Sequence, residues 1–175
     1  QEVVNSIEQN DIIKKVEIVR VGKEAKKFDA LEVFNRYKEE AEKKAAEAKK
    51  VADEKLKEIT VGAKTTDSGL KYFILEEGSG KSPSQGDNVS VHYSGFLLDG
   101  TMFDSSHNRG EPITFPLGQG RVIKGWDEGI SLLKVGDKAK FIIPANLAYG
   151  ERGAGGIIPP GATLIFEVEL VNISK

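Results

Sequence analysis

The chain has 175 residues, with 25 lysines and arginines against 27 aspartates and glutamates, a formal net charge of -2 and a pI near 5.8. Such a length accommodates one domain of about 100 to 150 residues and an appendage. The balanced charge argues against nucleic acid or an anionic membrane as a partner. The lack of cysteine excludes disulfides, thiol nucleophiles and thiolate zinc sites.

The start of the sequence shows no targeting or membrane signal. No apolar run approaches the roughly 18 residues of a membrane helix, and residues 1–10 are too polar for the apolar core of a signal peptide. Because the only methionine is Met102, we expect that a leader or further domains preceded Gln1. We expect a cytoplasmic location, or a periplasmic one if a leader was removed.

Residues 11–22, DIIKKVEIVRVG, predict one β-strand, which we place in an N-terminal segment of residues 1–27. β-branched residues alternate there in part with charged ones, and Gly22 ends the run. A lone strand needs a neighbour for its backbone groups. It must therefore pair with another part of this chain, with a second copy or with a missing domain.

Residues 28–59 predict a long charged helix, because they are rich in Glu, Lys and Ala and contain no Gly or Pro. Asp29 is the expected N-cap, and Gly62 lies just past the end. The apolar positions step by 3 and 4 residues and are Phe34, Tyr37, Ala41, Ala45, Ala48, Ala52, Leu56 and Ile59. This segment, residues 28–62, is either a rigid spacer or a helix that pairs with its twin in a homodimer.

After Thr65 the sequence consists of short apolar runs separated by turn residues, which predicts an antiparallel sheet. The predicted strands are Leu70 to Glu76, Asn88 to Leu97, Ile113 to Pro116, Lys138 to Ile143 and Thr163 to Ile173. Asp99-Gly100 marks a hairpin. Lys124 to Leu133 predicts a short helix, with Trp126 and Ile130 at helical spacing. The fold class is α+β, one short helix on a curled sheet.

Aromatic and branched residues surround a single acid in this part of the sequence. They are Tyr93, Phe103, Asp104, Phe115, Val122, Ile123, Trp126, Tyr149, Ile157, Ile158 and Phe166. Such a set predicts an apolar pocket with one carboxylate and a few hydroxyls. It contains no metal cluster and no nucleophile with a base, so it suits chemistry that breaks no strong bond. Taken singly, Trp126 and Phe166 would be core residues, and Asp104 would cap a turn.

Four motifs resemble the FKBP-type peptidyl-prolyl cis-trans isomerases. They are VHYSG at residues 91–95, DGTMFDSS at 99–106, VIKGWDEGI at 122–130 and AYGERGAGGIIPPGATLIFEVEL at 148–170. The resemblance covers residues 67–175 and implies a five- or six-stranded antiparallel sheet wrapped around one short helix. It also implies a bacterial enzyme that isomerises X-Pro bonds in unfolded or flexible proteins, needs no cofactor or metal, and binds macrolide inhibitors.

The resemblance also implies roles for individual residues. Trp126 forms the pocket floor, Tyr149 and the N–H of Ile123 bind substrate carbonyls, and Asp104 lies at the rim beside Tyr93 and Arg109. The catalytic residues implied are Asp104, Tyr149, Trp126, Phe166 and Tyr93. The substrate-binding residues implied are Tyr93, Phe103, Asp104, Arg109, Ile113, Phe115, Val122, Ile123, Trp126, Tyr149, Ile157, Ile158 and Phe166.

Some residues depart from the family pattern. Ile113 replaces an aromatic, Arg121 an acid and Ala154 a histidine found in some members, which bears on ligand selectivity. The Gly-rich run at 150–156 lacks the Lys-Ser/Thr pair of a phosphate loop, so we interpret it as a flexible loop over the pocket. His92 and His107 are expected to be structural or exposed. The large chaperone insert of some bacterial relatives is absent, which removes support for strong holdase activity.

The N-terminal segment resembles a second isomerase family. NSIEQNDIIKKVEIVRVG, residues 5–22, is similar to the carboxyl-terminal strand of a cyclophilin domain. The match is too short to include cyclophilin catalytic residues. Three hypotheses for the whole chain stay open at this point: an isomerase, a binding module that grips proline-containing loops without useful turnover, and a dimer whose long helix or N-terminal strand joins two pockets.

Overall fold

The computed structural model describes residues 29–175, so the predicted strand at residues 11–22 and its cyclophilin-like sequence lie outside the described residues. The chain divides into two compact units between Glu47 and Ala48. The described part of the first unit is helical. The second unit contains the sheet and the candidate site.

The long helix α1 spans Ala30–Ile59. Its N-cap is Asp29, whose Oδ1 accepts hydrogen bonds from the N–H groups of Leu31 at 2.9 Å and Glu32 at 3.1 Å. Gly62 follows the helix end with φ of +79°, in the left-handed region that favours glycine. The sequence predicted both ends of the helix, except that its proposed first residue, Phe28, lies outside the described residues.

A single antiparallel sheet forms the framework of the second unit. Its strands are β1 (Lys64–Thr65), β2 (Lys71–Glu76), β3 (Asn88–Leu97), β4 (Met102–Ser105), β5 (Ile113–Pro116), β6 (Lys138–Ile143) and β7 (Leu164–Ser174). The order is β1-β2-β6-β7-β3-β4, and β5 pairs with β3 beside β4. The predicted α+β architecture is confirmed, although the sheet has seven strands where five or six were expected. The additional short strands β1 and β4 depend on pairing with longer neighbours.

Alternation along the central strands builds the core. On β3, Val89, Val91 and Tyr93 are buried while the residues between them are partly exposed, as expected when one sheet face is covered. On β7, Phe166 and Val168 are buried in the same way. The register pairs Gly95 of β3 with Phe166 of β7 and with Asp104 of β4, so β3 brings its two neighbours to one place.

The short helix α2 (Lys124–Ser131) covers this inner face. It ends two residues earlier than predicted, and Leu133 beyond it is still fully buried. Two glycines allow close packing: a Cβ on Gly125 would lie 2.5 Å from Ile143, and one on Gly129 would lie 2.7 Å from the Phe141 ring. Because α2 packs this closely on the sheet, Trp126 is buried between the helix and the sheet.

Candidate functional site

A cavity of about 180 Å³ opens between α2, strands β3, β4 and β7, and the loops beside them. It is lined by Tyr93, Phe103, Asp104, Ile113, Arg121, Val122, Ile123, Trp126, Tyr149 and Phe166. Most of these side chains are aromatic or branched, and only two carry a charge. A small, mostly apolar pocket of this kind binds an apolar group and orients it by a few polar contacts.

Trp126 is the centre of the aromatic packing. Its ring lies edge-on to Tyr93 and Phe166, with centroid separations of 4.9 and 5.2 Å, and tilted against Phe115 at 5.8 Å. Phe103 contacts Phe166 edge-on at 5.5 Å. These separations lie in the favoured range for aromatic pairs. The indole Nε1 is buried and has no hydrogen-bond partner among the described residues, so packing holds this ring in place.

Gly95 allows two walls of the cavity to approach the backbone of β3. A Cβ at this position would lie 2.6 Å from Cζ of Phe103 and 2.8 Å from Cε1 of Phe166. Real Cβ atoms do not approach other heavy atoms so closely, so any side chain here would displace both rings. The glycine is therefore required by the shape of the pocket.

The one acid of the cavity lining is held by two partners. The Tyr93 hydroxyl donates a hydrogen bond to Oδ2 of Asp104, and Arg109 donates from Nη1 to Oδ1 at 2.8 Å and from Nη2 to the Tyr93 hydroxyl at 2.7 Å. Partial burial raises the pKa of Asp104, but the hydrogen bonds from Tyr93 and Arg109 and the charge of Arg109 outweigh it, so its pKa is below the ordinary value. Burial, followed by the bond to Asp104, raises the pKa of Tyr93.

Two buried serines that follow Asp104 fix the backbone of Tyr93. The Ser106 hydroxyl accepts a bond from the Tyr93 N–H at 2.8 Å, and the Ser105 hydroxyl donates to the Tyr93 carbonyl at 3.1 Å. Both serines are almost completely buried. This network joins β3 to the end of β4, and it sets the position from which Tyr93 reaches Asp104.

Asp127, which is not among the predicted site residues, orders the loop before α2. Its two carboxylate oxygens accept hydrogen bonds from the N–H groups of Gly118 at 2.9 Å and Gly120 at 3.0 Å. The same loop supplies Val122 and Ile123 to the cavity. An acid in a predicted helix is expected to lie on its solvent-exposed face, so no local sequence pattern reveals that Asp127 binds the preceding loop.

The other residues predicted for the site lie around the cavity. Arg109 contacts Asp104, and Phe115 packs behind Trp126, but neither belongs to the lining. Ile158 is buried in the core and Ile157 is 57% exposed, and both are also outside the lining. Arg121, noted in the sequence only as a departure from the family pattern, does line the cavity.

The Gly-rich run and the histidines also have defined places. Ala154 forms an isolated bridge with Ile158, and their backbone N–H groups each bond to the other's carbonyl at 2.9 Å. The rings of His92 and His107 stack at 4.8 Å with an interplanar angle of 11°.

Among residues 29–175, no group of three or more acids and histidines is arranged to hold a metal ion. No helix of the described part is long and apolar enough to cross a membrane.

Comparison with known proteins agrees with this geometry. The family model of FKBP-type peptidyl-prolyl cis-trans isomerases matches residues 79–171, more than half of the chain. The chain therefore belongs to this family, and the resemblance drawn from its four motifs is confirmed.

Individual relatives cover different parts of the chain. The FKBP-type peptidyl-prolyl cis-trans isomerase FkpA of Aeromonas hydrophila is 47% identical over 178 aligned residues, 95% of this chain and 65% of that protein. FK506-binding protein 1 of Dictyostelium discoideum is 55% identical over 104 residues, 59% of this chain and 97% of that protein. The crystal structure of AtFKBP13 matches with a TM-score of 0.61 and 40% identity, covering 63% of this chain and 97% of that one.

Coverage differs between these two kinds of relative. The small FK506-binding protein matches over nearly its whole length. By contrast, the chain spans less than two thirds of the length of the bacterial FkpA relatives that it matches.

Proposed function

We propose that the chain is a peptidyl-prolyl cis-trans isomerase that accelerates rotation of X-Pro bonds in protein substrates and so assists their folding. The observation that carries this proposal is the small apolar cavity with the Trp126 ring among its aromatic lining and a single, ion-paired carboxylate, Asp104. Membership of the isomerase family supports it. The proposed isomerase domain is residues 67–175, and residues 28–62 are proposed as a charged helical linker that precedes it.

The chemistry needs no covalent catalyst. Rotation of a peptide bond crosses a barrier of about 18–20 kcal/mol because it destroys amide resonance, and in solution an X-Pro bond takes tens to hundreds of seconds to isomerise. The planar amide is more dipolar than the twisted one, so an apolar, water-poor cavity favours the twisted state relative to water. Binding that is stronger in the twisted state lowers the barrier.

The residues that line the cavity can hold the proline ring and bind the carbonyls on either side of it. The aromatic rings around Trp126 would hold the proline ring, so that rotation is confined to the carbonyl that precedes it. Tyr149 lines the cavity and is 41% exposed, which lets its hydroxyl donate to a substrate carbonyl. The backbone N–H of Ile123 donates to no loop or turn carbonyl of the described residues and would donate to a second substrate carbonyl. Asp104 stays ionised and orients these groups electrostatically, without transferring a proton.

A short peptide tests the proposed activity directly. A tetrapeptide with one internal X-Pro bond, followed by NMR exchange spectroscopy, should interconvert much faster with the wild-type chain than without it. A Trp126→Ala/Asp104→Ala double variant should lose most of the acceleration while remaining folded by circular dichroism. Equal rates for the wild type and this variant would contradict the proposal.

The proposed ligands are proline-containing unfolded or flexible segments, and macrolides of the kind named for the FK506-binding relative from Dictyostelium. Ile113 and Arg121 both line the cavity. A branched residue keeps that wall apolar but offers no ring face for stacking. We therefore propose that macrolides bind and inhibit this chain, and that an Ile113→Phe variant binds them more tightly in a calorimetric titration.

The homodimer and the compartment complete the proposal. Leu31, Phe34 and Tyr37 of α1 are 68%, 64% and 75% exposed and recur every three residues along the helix. Exposed large apolar residues in a row are unfavourable in water, so we propose that a second copy covers them. The proposed location is the cytoplasm, or the periplasm if a leader preceded Gln1; fractionation of cells that express the complete natural gene distinguishes the two.

A further inference from the structure

A second, larger cavity of the unit that begins at Ala48 is not used by the proposed function. It is an open groove of about 640 Å³, within the range of about 300–1,000 Å³ typical of ligand pockets. Its lining comes from the last turns of α1, the β3–β4 turn and the loop before β7. The lining residues are Ala48, Lys49, Ala52, Asp53, Leu56, Leu97, Leu98, Asp99, Pro159, Gly161, Ala162 and Thr163.

Small residues on α1 leave this groove open. Ala48 and Ala52 are one helical turn apart, so they lie on the same face of the helix as Leu56. Ala52 and Leu56 are half-buried, whereas the residues between them are exposed. The facing side chains Leu97 and Leu98 are also half-buried. An apolar surface is therefore present on both sides, and the alanine methyl groups are too short to fill the space between them.

The groove and the cavity lined by Trp126 are built on the same structural elements. On β3, Leu97 of the groove lies two residues beyond Gly95, where an added Cβ would lie within 2.8 Å of the cavity-lining rings of Phe103 and Phe166. Two residues of a strand span about 7 Å. The loop is joined as well, because the N–H of Gly161 donates to the carbonyl of Gly150, next to Tyr149, at 3.0 Å.

The charged residues around the groove do not favour a ligand of either charge. Lys49, Asp53 and Asp99 carry both signs around the groove, while its larger surface is formed by leucine, alanine and proline. Open apolar grooves rimmed by mixed charges are typical of surfaces that bind polypeptide.

Resting on the proposed isomerase function, we propose that this groove binds an apolar stretch of the same client polypeptide whose proline occupies the cavity. An extended peptide advances about 3.3 Å per residue. Apolar residues about two to five positions from the proline therefore reach the groove. The groove would select client segments in which a proline lies near a cluster of leucine, valine or phenylalanine, and a peptide that ends close to its proline would not use it.

Matched peptides test the groove with the full chain. A tetrapeptide with one X-Pro bond is compared with versions extended on either side by a Leu-Val-Phe cluster, and with the same extensions carrying serine. We expect an apolar extension on one side to raise kcat/KM about five-fold or more in the wild type. The serine versions should behave as the tetrapeptide does.

Two variants assign this gain to the groove. Ala52→Trp, which fills the space, and Leu98→Glu, which places a charge in it, should each remove the gain and leave the tetrapeptide rate unchanged. Ala46→Trp adds the same side chain at a helix position outside the lining and should keep the gain. No gain in the wild type, or a gain that persists in both groove variants, would overturn the proposal.

A photo-cross-link identifies the occupant. With p-benzoylphenylalanine in place of Lys49, the extended peptide should be captured. Capture of residues 1–28 of the chain itself, or of a second copy, in the presence of the peptide would overturn the assignment to a client. If the tetrapeptide is not accelerated by the wild type at all, the isomerase function itself has failed, which these arms distinguish from failure of the groove.

Discussion

The hydroxyl of Tyr93 donates a hydrogen bond to Oδ2 of Asp104, and Arg109 occupies the other carboxylate oxygen at 2.8 Å. Both oxygens of the only acid in the cavity lining are thus engaged within the described part of the chain. A carboxylate held by two donors stays ionised at neutral pH. It shapes the field at the rim of the pocket and is a poor proton donor, in agreement with a reaction that moves no proton.

Removing the Tyr93 hydroxyl should weaken the hydrogen bonding of Asp104 and leave the aromatic lining of the cavity in place. In Tyr93→Phe the ring remains, but Asp104 loses a donor, so its pKa should rise toward the ordinary aspartate value. We expect the free energy of unfolding to fall by about 1 kcal/mol and kcat/KM on a proline tetrapeptide to fall several-fold. Urea unfolding and carboxyl NMR titration measure these effects. Tyr72→Phe, on β2 and outside the cavity lining, is the control and should change neither.

Acid should remove the contribution of the Arg109 ion pair. The pKa of Asp104 in the folded chain lies below its unfolded value of about 3.9, so the pair stabilises the fold fully above that pH. The contribution is lost as the pH falls through the lower, folded pKa. The stability difference between the wild type and Arg109→Gln should be constant near neutral pH and shrink below about pH 4. It should be small throughout, because both side chains are nearly half-exposed.

Urea unfolding of both proteins between neutral pH and about pH 2.5, which brackets the aspartate range, measures this difference. Screening the pair with salt at neutral pH should reduce it in the same direction. A difference that stays constant through the acid range would show that Arg109 stabilises the fold by packing and not through the charge of Asp104.

The glycine between the two phenylalanine walls gives a test of pocket shape. Gly95→Ala would place a Cβ within 2.8 Å of both Phe103 and Phe166, and such overpacking costs about 1–3 kcal/mol. We expect kcat/KM on a proline tetrapeptide to fall by more than the loss of folded protein explains, because the rings must move into the cavity. Gly100→Ala is the matched control: its φ of +94° strains an alanine, but no atom lies within 4 Å of the new Cβ.

If Gly95→Ala and Gly100→Ala lose stability alike and also lose activity alike, the effect belongs to the backbone and the shape argument fails. Macrolide affinity by calorimetry gives a second readout, since the displaced rings should weaken it in Gly95→Ala alone. Both variants are compared at a temperature where each remains folded.

Sequence and structure differ where an element depends on its neighbours. Strands β3 and β7 are evident in the sequence because buried residues alternate with exposed ones. Strand β4 has only four residues, Met102–Ser105, too few for an alternating pattern, and it is a strand because β3 pairs with it. The helix α2 was predicted from Trp126 and Ile130, but its close packing on β6 depends on Phe141, a residue distant in sequence.

The candidate site shows the same division. Motifs select Trp126 and Asp104 because their local sequence is distinctive. Ile158, also predicted for the site, is buried in the core, and an apolar residue in a loop has the same sequence signature whether it packs in a core or lines a pocket. Asp127 acts on a loop that folds back toward α2, and a contact of this kind is fixed only by the tertiary structure.

Asp127 should therefore control the order of that loop. Asp127→Ala removes the acceptor for the N–H groups of Gly118 and Gly120, and hydrogen bonds to a charged group contribute about 1.5–3 kcal/mol each, less where water competes. We expect faster amide exchange at both glycines, a fall in stability of about 1–2 kcal/mol, and a higher KM with a smaller change in kcat. Glu128→Ala, which loses only an exposed bond from Ser68, should leave KM unchanged. Unchanged exchange at both glycines in Asp127→Ala would contradict this role.

The exposed apolar row on α1 predicts the oligomeric state. If a second copy covers Phe34 and Tyr37, Phe34→Ser/Tyr37→Ser should raise the dimer dissociation constant at least ten-fold, equivalent to about 1.4 kcal/mol. Glu39→Ser/Lys43→Ser changes two exposed positions on the opposite face of the same helix and should leave the dimer intact. Sedimentation velocity at several concentrations measures both. The cavity lining begins at Tyr93, far along the chain from Phe34 and Tyr37, so the rate of tetrapeptide isomerisation should be equal in all three proteins. Loss of the dimer without loss of this rate would show that the helix serves dimerisation and not catalysis. A wild-type chain that sediments as a monomer at every concentration would exclude this pairing.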